Sequence, residues 1–218
     1  MTKIPRGEAL RYLNARRAAP ELRTQLDGVC TELEQALSPR AVWQEYPCRV
    51  ETGQVSIPGA VFPGAALSAH LKGCSALLLF AATLGTEADR LTRMEGLRAA
   101  ARGAMAHAAG AAMIEQFCDD MQSEIAAAYE ARGLYLRPRF SPGYGDLPLQ
   151  CQRDFFRLLD LPKRLGLSLN EYDMMAPSKS ITAVIGISDR PGKSFRSCIR
   201  CAKTGCPFRK ELPNETVS

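Results

Sequence analysis

Histidine is nearly absent from this chain of 218 residues: His70 and His107 are the only two. Each stands alone, without the acid and nucleophile partners of a catalytic triad, so both are expected in ordinary packed or surface roles. No phosphate-binding loop is present either. Long apolar runs are missing. The longest, Ala76 to Ala82, falls far short of the about 20 residues that a bilayer-spanning helix needs. No charged-then-apolar signal opens the chain. A membrane is therefore not an expected partner, and a cytoplasmic location is expected. There is no internal repeat and no low-complexity linker. With 46% apolar content, the chain can bury one substantial core, or one core with a small appendage.

Cysteine, by contrast, is plentiful, at eight residues. In a reducing compartment structural disulfides are not expected, so clustered cysteines point to metal or redox chemistry. Cys198, Cys201 and Cys206 place three thiols within nine residues. A Cys-x-x-Cys pair can converge on one metal, and four further residues suit a loop returning to the same centre. Arg200 and Lys203 would lower the thiol pKa values. An iron–sulfur cluster, a structural zinc and three incidental thiols are all compatible with this pattern. A fourth ligand would be sought first at Cys74, then at Cys48 or Cys151. The net charge is only +5, but no acidic residue interrupts the basic series from Arg190 to Lys210. Such a block can meet nucleic acid or an acidic protein face. A solvated surface is its commoner use, so nucleic acid is not the expected partner. The one plausible boundary lies near Asp189, giving a core at 1–189 and a basic, cysteine-bearing tail at 190–218.

Glu8 to Arg17 and Glu21 to Leu37 read as helices separated by Pro20. The second carries Leu22, Leu26, Val29, Leu33 and Leu37 at the spacing of one buried stripe. Ala41 to Val50 and Val55 to Ile57 read as strands across a turn at Thr52-Gly53. Ala65 to Leu71 reads as a short helix, and Ala76 to Ala82 as a strand buried on both faces. Thr86 is placed to cap a helix running to about Met94. From Leu97 to Glu130 the pattern is helical and unusually small-sided. Gly103 and Gly110 each cost about 1 kcal/mol against alanine there, so packing or kinking must compensate. Glu115 flanks the apolar stripe of this helix, where it can face either a pocket or solvent. Leu149 to Leu159 reads as a helix ended by Leu161-Pro162, and Ile181 to Ile187 as a strand closed by the turn Asp189-Arg190-Pro191-Gly192.

Between the small-sided helix and the next lies Arg137-Pro138-Arg139-Phe140-Ser141-Pro142-Gly143-Tyr144-Gly145-Asp146. Pro138 and Pro142 push Arg137 and Ser141 towards extended conformations. Gly143 and Gly145 permit positive φ and close backbone approach by a ligand. Arg139 offers a planar fork for a carboxylate or phosphate, and Tyr144 a flat face with a polar tip. By composition the stretch is either a proline-rich surface turn or a stiff cradle for a small molecule.

Arg139-Phe-Ser-Pro-Gly-Tyr144 resembles the Arg-x-x-x-Gly-Tyr signature of the activation domain of cobalamin-dependent methionine synthase. The resemblance extends over residues 75–188, through the helix before the motif, the helix after it, and Pro177-Ser178-Lys179-Ser180 leading into a strand. The run on to Leu149 looks like the free-standing versions of this domain. It implies an α+β fold: a twisted, largely antiparallel sheet with packed helices, preceded by a helical N-terminal region. It also implies that S-adenosylmethionine is bound, with Arg139 holding the carboxylate and Gly143 letting adenine lie against backbone. Tyr144 would stack on a ring or meet the sulfonium, and Glu115 would take the ammonium or offset the sulfonium charge. Ser141 and Ser180 join that set.

The function implied is reductive reactivation of a separately encoded cobalamin-dependent methyltransferase, most simply methionine synthase. Cobalamin would sit on the partner, an electron donor would be needed, and the chain would be an accessory component. A relay of electrons is what favours iron–sulfur over zinc in the tail. The alternative is a non-enzymatic, metal-bearing interaction module with a degenerate cradle. Two departures stand out. The full-length enzyme's Pro-Ala-Cys-Pro-Asp-His run is replaced by Gly145 to Gln150, and an aromatic residue of its later strand aligns with Val184 or Ile185.

Overall fold

The computed structural model describes residues 2–191. Its centre is a four-stranded antiparallel sheet in which the long apolar strands lie inside. These are β1 (Arg40–Pro47), β5 (Ala76–Thr83), β9 (Ser180–Ser188) and the short β6 (Tyr135–Leu136), in the order β1-β5-β9-β6. Phe80 pairs with Trp43 on one side and Ala183 on the other, which fixes the register of the three long strands. An antiparallel strand usually alternates buried and exposed residues. Here β5 and β9 are buried almost throughout, because helices cover both faces.

One face is packed by α1 (Arg6–Tyr12), α2 (Pro20–Ala36) and α5 (Ala100–Glu130). Leu78, Phe80, Ile185 and Ile187 meet Leu26, Val29, Leu33 and Met113 in that layer. The opposite face carries α3 (Ala65–His70), α6 (Gln152–Leu159), α7 (Leu161–Leu165) and a three-stranded sheet of β2 (Arg49–Glu51), β3 (Gln54–Ile57) and β4 (Ala60–Pro63). There Leu77, Leu79 and Val184 pack with Phe62, Leu67 and Phe155. A two-stranded ribbon, β7 (Ser168–Leu169) with β8 (Met175–Ala176), precedes β9. No helix among the described residues is long and apolar enough to cross a membrane.

Several boundaries differ from the sequence expectation, each for a local reason. Pro20 does not separate two helices but opens α2 as its first residue, where its missing N–H costs nothing. Thr86 does not cap α4 (Thr86–Arg98); Gly85 holds the cap position at φ 80°, and its N–H is donated to Thr83 Oγ1. The small-sided helix starts one residue after a break at Ala99, whose extended backbone separates α4 from α5. A Cβ on Gly103 would lie 2.7 Å from the Gly96 Cα, so the two helices meet there backbone to backbone. Pro162 does not end helical structure either. It occupies the first turn of α7, which the sequence reading missed.

Candidate functional site

The stretch from Arg137 to Asp146 is a cradle in form, bolted to the sheet at one end and to a helix at the other. Arg137 N–H donates to the Gly186 carbonyl at 2.7 Å, and Phe140 and Val184 exchange backbone bonds of 2.9 and 2.8 Å. The segment thus continues the edge of the sheet beside β9. Pro138 is tolerated because only an edge strand can spare an N–H. Its carbonyl is not wasted: His70 Nε2 lies 2.8 Å away, and the imidazole packs on the Phe140 ring at 5.3 Å. A carbonyl only accepts, so Nε2 carries the proton. Burial pulls the His70 pKa below its ordinary value, although the bond to Pro138 opposes this.

Past Phe140 the chain turns sharply. Tyr144 N–H donates to the Ser141 carbonyl, and Gly143 N–H to that of Leu147 at 2.9 Å. Gly143 has φ 89° and Gly145 φ 55°, left-handed conformations that glycine adopts without steric cost. The loop ends on Asp146, whose carboxylate accepts from the N–H groups of Ala65 at 2.6 Å and Ala66 at 3.0 Å. It therefore caps α3, and Gly64 has to be glycine-sized because a Cβ there would lie 2.7 Å from Asp146 Oδ1. Held this way, Tyr144 stands 61% exposed at the loop tip. Ser141 is half-buried beside it.

Arg139 turns onto α5. Its Nη2 donates to Asp119 Oδ1 at 2.6 Å and to Glu115 Oε2 at 3.3 Å, while Nη1 donates to Gln122 Oε1 at 3.0 Å. Burial opposes its charge, but the Asp119 bond and its other neighbours raise its pKa overall. The structure thus brings Arg139 and Glu115 together, and it also spends the guanidinium fork on the chain's own side chains. Two carboxylates against one guanidinium leave a local excess of negative charge, which suits a cation. Glu115 points into this cluster, not freely to solvent. Asp119 and Gln122 were overlooked in the sequence, although both share a helical face with Glu115 at spacings that an arginine can bridge.

Ser180 is placed differently. Its Oγ lies 2.8 Å from both Thr83 Oγ1 and the Pro177 carbonyl, so it is committed to starting β9. Neighbouring Ser178 donates its N–H and hydroxyl to the Asp89 carboxylate at 2.9 and 2.5 Å, fastening the Pro177–Ser180 segment to α4. Lys179, between them, is 8% exposed and lies across Gly110 of α5. Val184 and Ile185 are both fully buried in the sheet, so neither replaces an aromatic platform.

The described cysteines, Cys30, Cys48, Cys74, Cys118 and Cys151, are all free thiols. Burial pushes Cys48 up to about 11 and Cys118 up to about 12. Burial also raises Cys74, against the opposing effect of the Arg137 guanidinium beside it. Arg137 Nε finds no nitrogen or oxygen partner among the described residues, which leaves the Cys74 sulfur as a polar neighbour of that guanidinium. No group of three or more His, Cys, Asp or Glu among the described residues is placed to hold a metal. Cys198, Cys201 and Cys206 lie outside the described residues.

No family model matches the chain, and no curated protein matches its sequence. Among solved structures it is similar to the MetH reactivation domain bound to AdoHcy. The TM-score is 0.64 at 19% sequence identity, over 83% of this chain and 68% of that one. The likeness is one of fold: the sheet-and-helix architecture expected from the sequence is that of the MetH reactivation domain.

Proposed function

We propose that this chain binds S-adenosylmethionine between the Arg137–Asp146 cradle and α5, and so supports reductive reactivation of a separate cobalamin-dependent methyltransferase. The observation that carries the reading is the cradle itself. A stiff edge segment begins beside a cluster with more carboxylate than guanidinium and presents Tyr144 at its tip. In keeping with it, the solved domain of the same fold holds AdoHcy, the demethylated form of this ligand.

The donor set fits the ligand. Glu115 and Asp119 offer negative charge to a sulfonium or ammonium, with Arg139 fixing their positions. Gly143, where a Cβ would meet only the Leu149 side chain at 3.6 Å, offers backbone to a planar base, and Tyr144 supplies a π face to a ring or cation. The chemistry asks nothing further of this chain. Reduced cobalt on the partner's corrin would accept the methyl group of the sulfonium, leaving S-adenosylhomocysteine, and an electron donor would supply the one electron that reduces the metal beforehand. What the protein contributes is proximity and orientation.

The test is spectroscopic. With a cobalamin-loaded methyltransferase, S-adenosylmethionine and a reductant present, adding this protein should accelerate the visible absorption change of the corrin on methylation. An identical rate with and without it would overturn the reading.

A further inference from the structure

The cradle leaves the sheet edge through a bulge. Leu136 pairs with Ile187 and Phe140 with Val184, so three residues, 137–139, stand opposite only two, 185 and 186. An extra residue of this kind bends a strand and re-aims its side chains. Here the bulge carries Arg139, which it turns onto α5. Pro138, at its centre, has no N–H to give to the ladder. The bond that its carbonyl makes is to His70 Nε2, at 2.8 Å.

His70 grips this bulge on both sides of Arg139. It holds the carbonyl of the residue before, and its ring packs on that of the residue after, Phe140, with centroids 5.3 Å apart. Side chains alternate across an extended segment. Phe140 therefore faces the α3 layer while Arg139 faces α5, and fixing one fixes the other. The opposite end of α3 is held by Asp146, which accepts from Ala65 and Ala66. One six-residue helix thus clamps the cradle from Pro138 to Asp146.

The grip suits a neutral imidazole. The charged group that His70 feels is the Arg137 guanidinium, and α3 carries no other titratable residue. Arg137 Nη2 donates to Ser188 Oγ at 3.4 Å, and its buried Nε has no nitrogen or oxygen partner among the described residues. Cys74, the titratable neighbour of Arg137, is a thiol raised by burial and brings no negative charge. Nothing recorded there offsets a second cation. Burial, with Arg137 adding to it, outweighs the Pro138 bond and lowers the His70 pKa. A half-buried imidazolium would press against the guanidinium at the foot of the bulge.

We infer that His70 is a positioning residue for ligand binding: as the neutral imidazole it locks the bulge that aims Arg139, and through it Glu115 and Asp119, at the ligand. The inference rests on the S-adenosylmethionine reading above and adds a proton to it. A proton gained at His70 loosens the lock, so proton and ligand oppose each other. Affinity is full above the ordinary histidine value of 6.5 and falls as pH drops through the lower value of the folded protein. By the same linkage, bound ligand lowers the His70 pKa further.

With only two histidines in the chain, the imidazole protons of the full-length protein can be followed by NMR across pH, His107→Gln serving to assign them. Saturating S-adenosylmethionine should lower the His70 pKa by about one unit, and wild-type affinity should correspondingly fall about tenfold from about pH 7.5 to about pH 5. His70→Leu should bind several-fold more weakly at the upper pH, with melting curves as the folding control. His70→Gln, whose amide can still donate to Pro138 but cannot titrate, should recover most of that loss and lack the tenfold fall. Titrations of the ligand, Glu115 and Asp119 are common to all the proteins and cancel in the comparison. A His70 pKa unmoved by ligand in wild type would overturn the role of His70 even where a variant does not fold. So would a His70→Gln profile parallel to wild type, or undiminished binding by His70→Leu. Wild type that binds no S-adenosylmethionine at either pH would overturn the ligand reading, and this role with it.

Discussion

Arg139 Nη2 donates to Asp119 Oδ1 across 2.6 Å, joining the cradle to the middle of the longest helix. With the bonds to Glu115 and Gln122 it forms a three-point attachment by a side chain only 15% exposed. Arg139→Ala should therefore lower stability by about 2 kcal/mol, the scale for losing charge-assisted bonds that are partly buried. It should also weaken ligand binding, because Glu115 and Asp119 lose their fixed positions. Chemical denaturation and a binding titration on the same variant separate the two effects. A variant of unchanged stability would place the guanidinium outside the scaffold.

The Asp146 cap makes a second case. Asp146→Ala removes both acceptors from the N-terminus of α3, and should cost about 1 kcal/mol. The Gly143–Asp146 loop loses its anchor at the same time, so affinity for the ligand should fall even though Asp146 lies outside the proposed contact set. Unchanged affinity would mean that the loop keeps its shape without this tether.

Two glycines of α5 should respond oppositely. At Gly103 a Cβ meets backbone of Gly96 at 2.7 Å, which cannot give way locally; Gly103→Ala should destabilise by about 1–3 kcal/mol. At Gly110 the obstacle is the flexible end of Lys179 at 3.3 Å. Gly110→Ala should leave stability nearly unchanged, since about 1 kcal/mol of helix propensity offsets the displaced lysine. Melting curves of the two variants, run together, check the contrast.

How much of this was legible in the sequence depends on the range of each interaction. The extended character of Arg137 to Phe140 and the turn at Gly143 follow from proline and glycine, and both are present. So are the apolar strands β5 and β9. Partners far along the chain were not legible. Nothing near Asp146 marks it as the cap of a helix that begins 81 residues earlier. A lysine in Pro177-Ser178-Lys179-Ser180 reads as solvated, and only the bare backbone at Gly110 shows that it is buried. The sequence parts two helices between Met94 and Leu97, and the break falls a few residues later, at Ala99, between the closely approaching Gly96 and Gly103. Glu115 was placed by resemblance, but its pairing with Arg139 needed the fold.

Acid should loosen the N-terminal region first. Burial raises the Glu34 pKa, but bonds from Ile4 N–H, Arg6 and Lys3 outweigh it and hold the carboxyl below its ordinary value of 4.5. A group with a depressed folded-state pKa stabilises the fold above its unfolded value, and that contribution is lost as pH falls through the folded one. Stability should therefore drop as pH goes below about 4.5, and Glu34→Gln should flatten part of that dependence. An unaltered pH profile in the variant would remove Glu34 from the account.

The cysteine series outside the described residues carries its own test. Ala76 pairs with Ile187, which puts Cys74 within two residues of a position next to the end of β9. If Cys198, Cys201 and Cys206 hold an iron–sulfur cluster, protein purified anaerobically should contain iron and absorb in the visible range. Both signals should vanish in Cys198→Ser. Colourless protein with stoichiometric zinc would leave a structural clip, and metal-free protein would leave only thiols.

Equilibrium dialysis of the full-length protein against labelled S-adenosylmethionine tests the central claim most directly. Saturable binding of one ligand per chain, competed by S-adenosylhomocysteine and weakened in Arg139→Ala, is the predicted result. Retention no greater than that of an unrelated protein, at ligand concentrations up to about 1 mM, would contradict it.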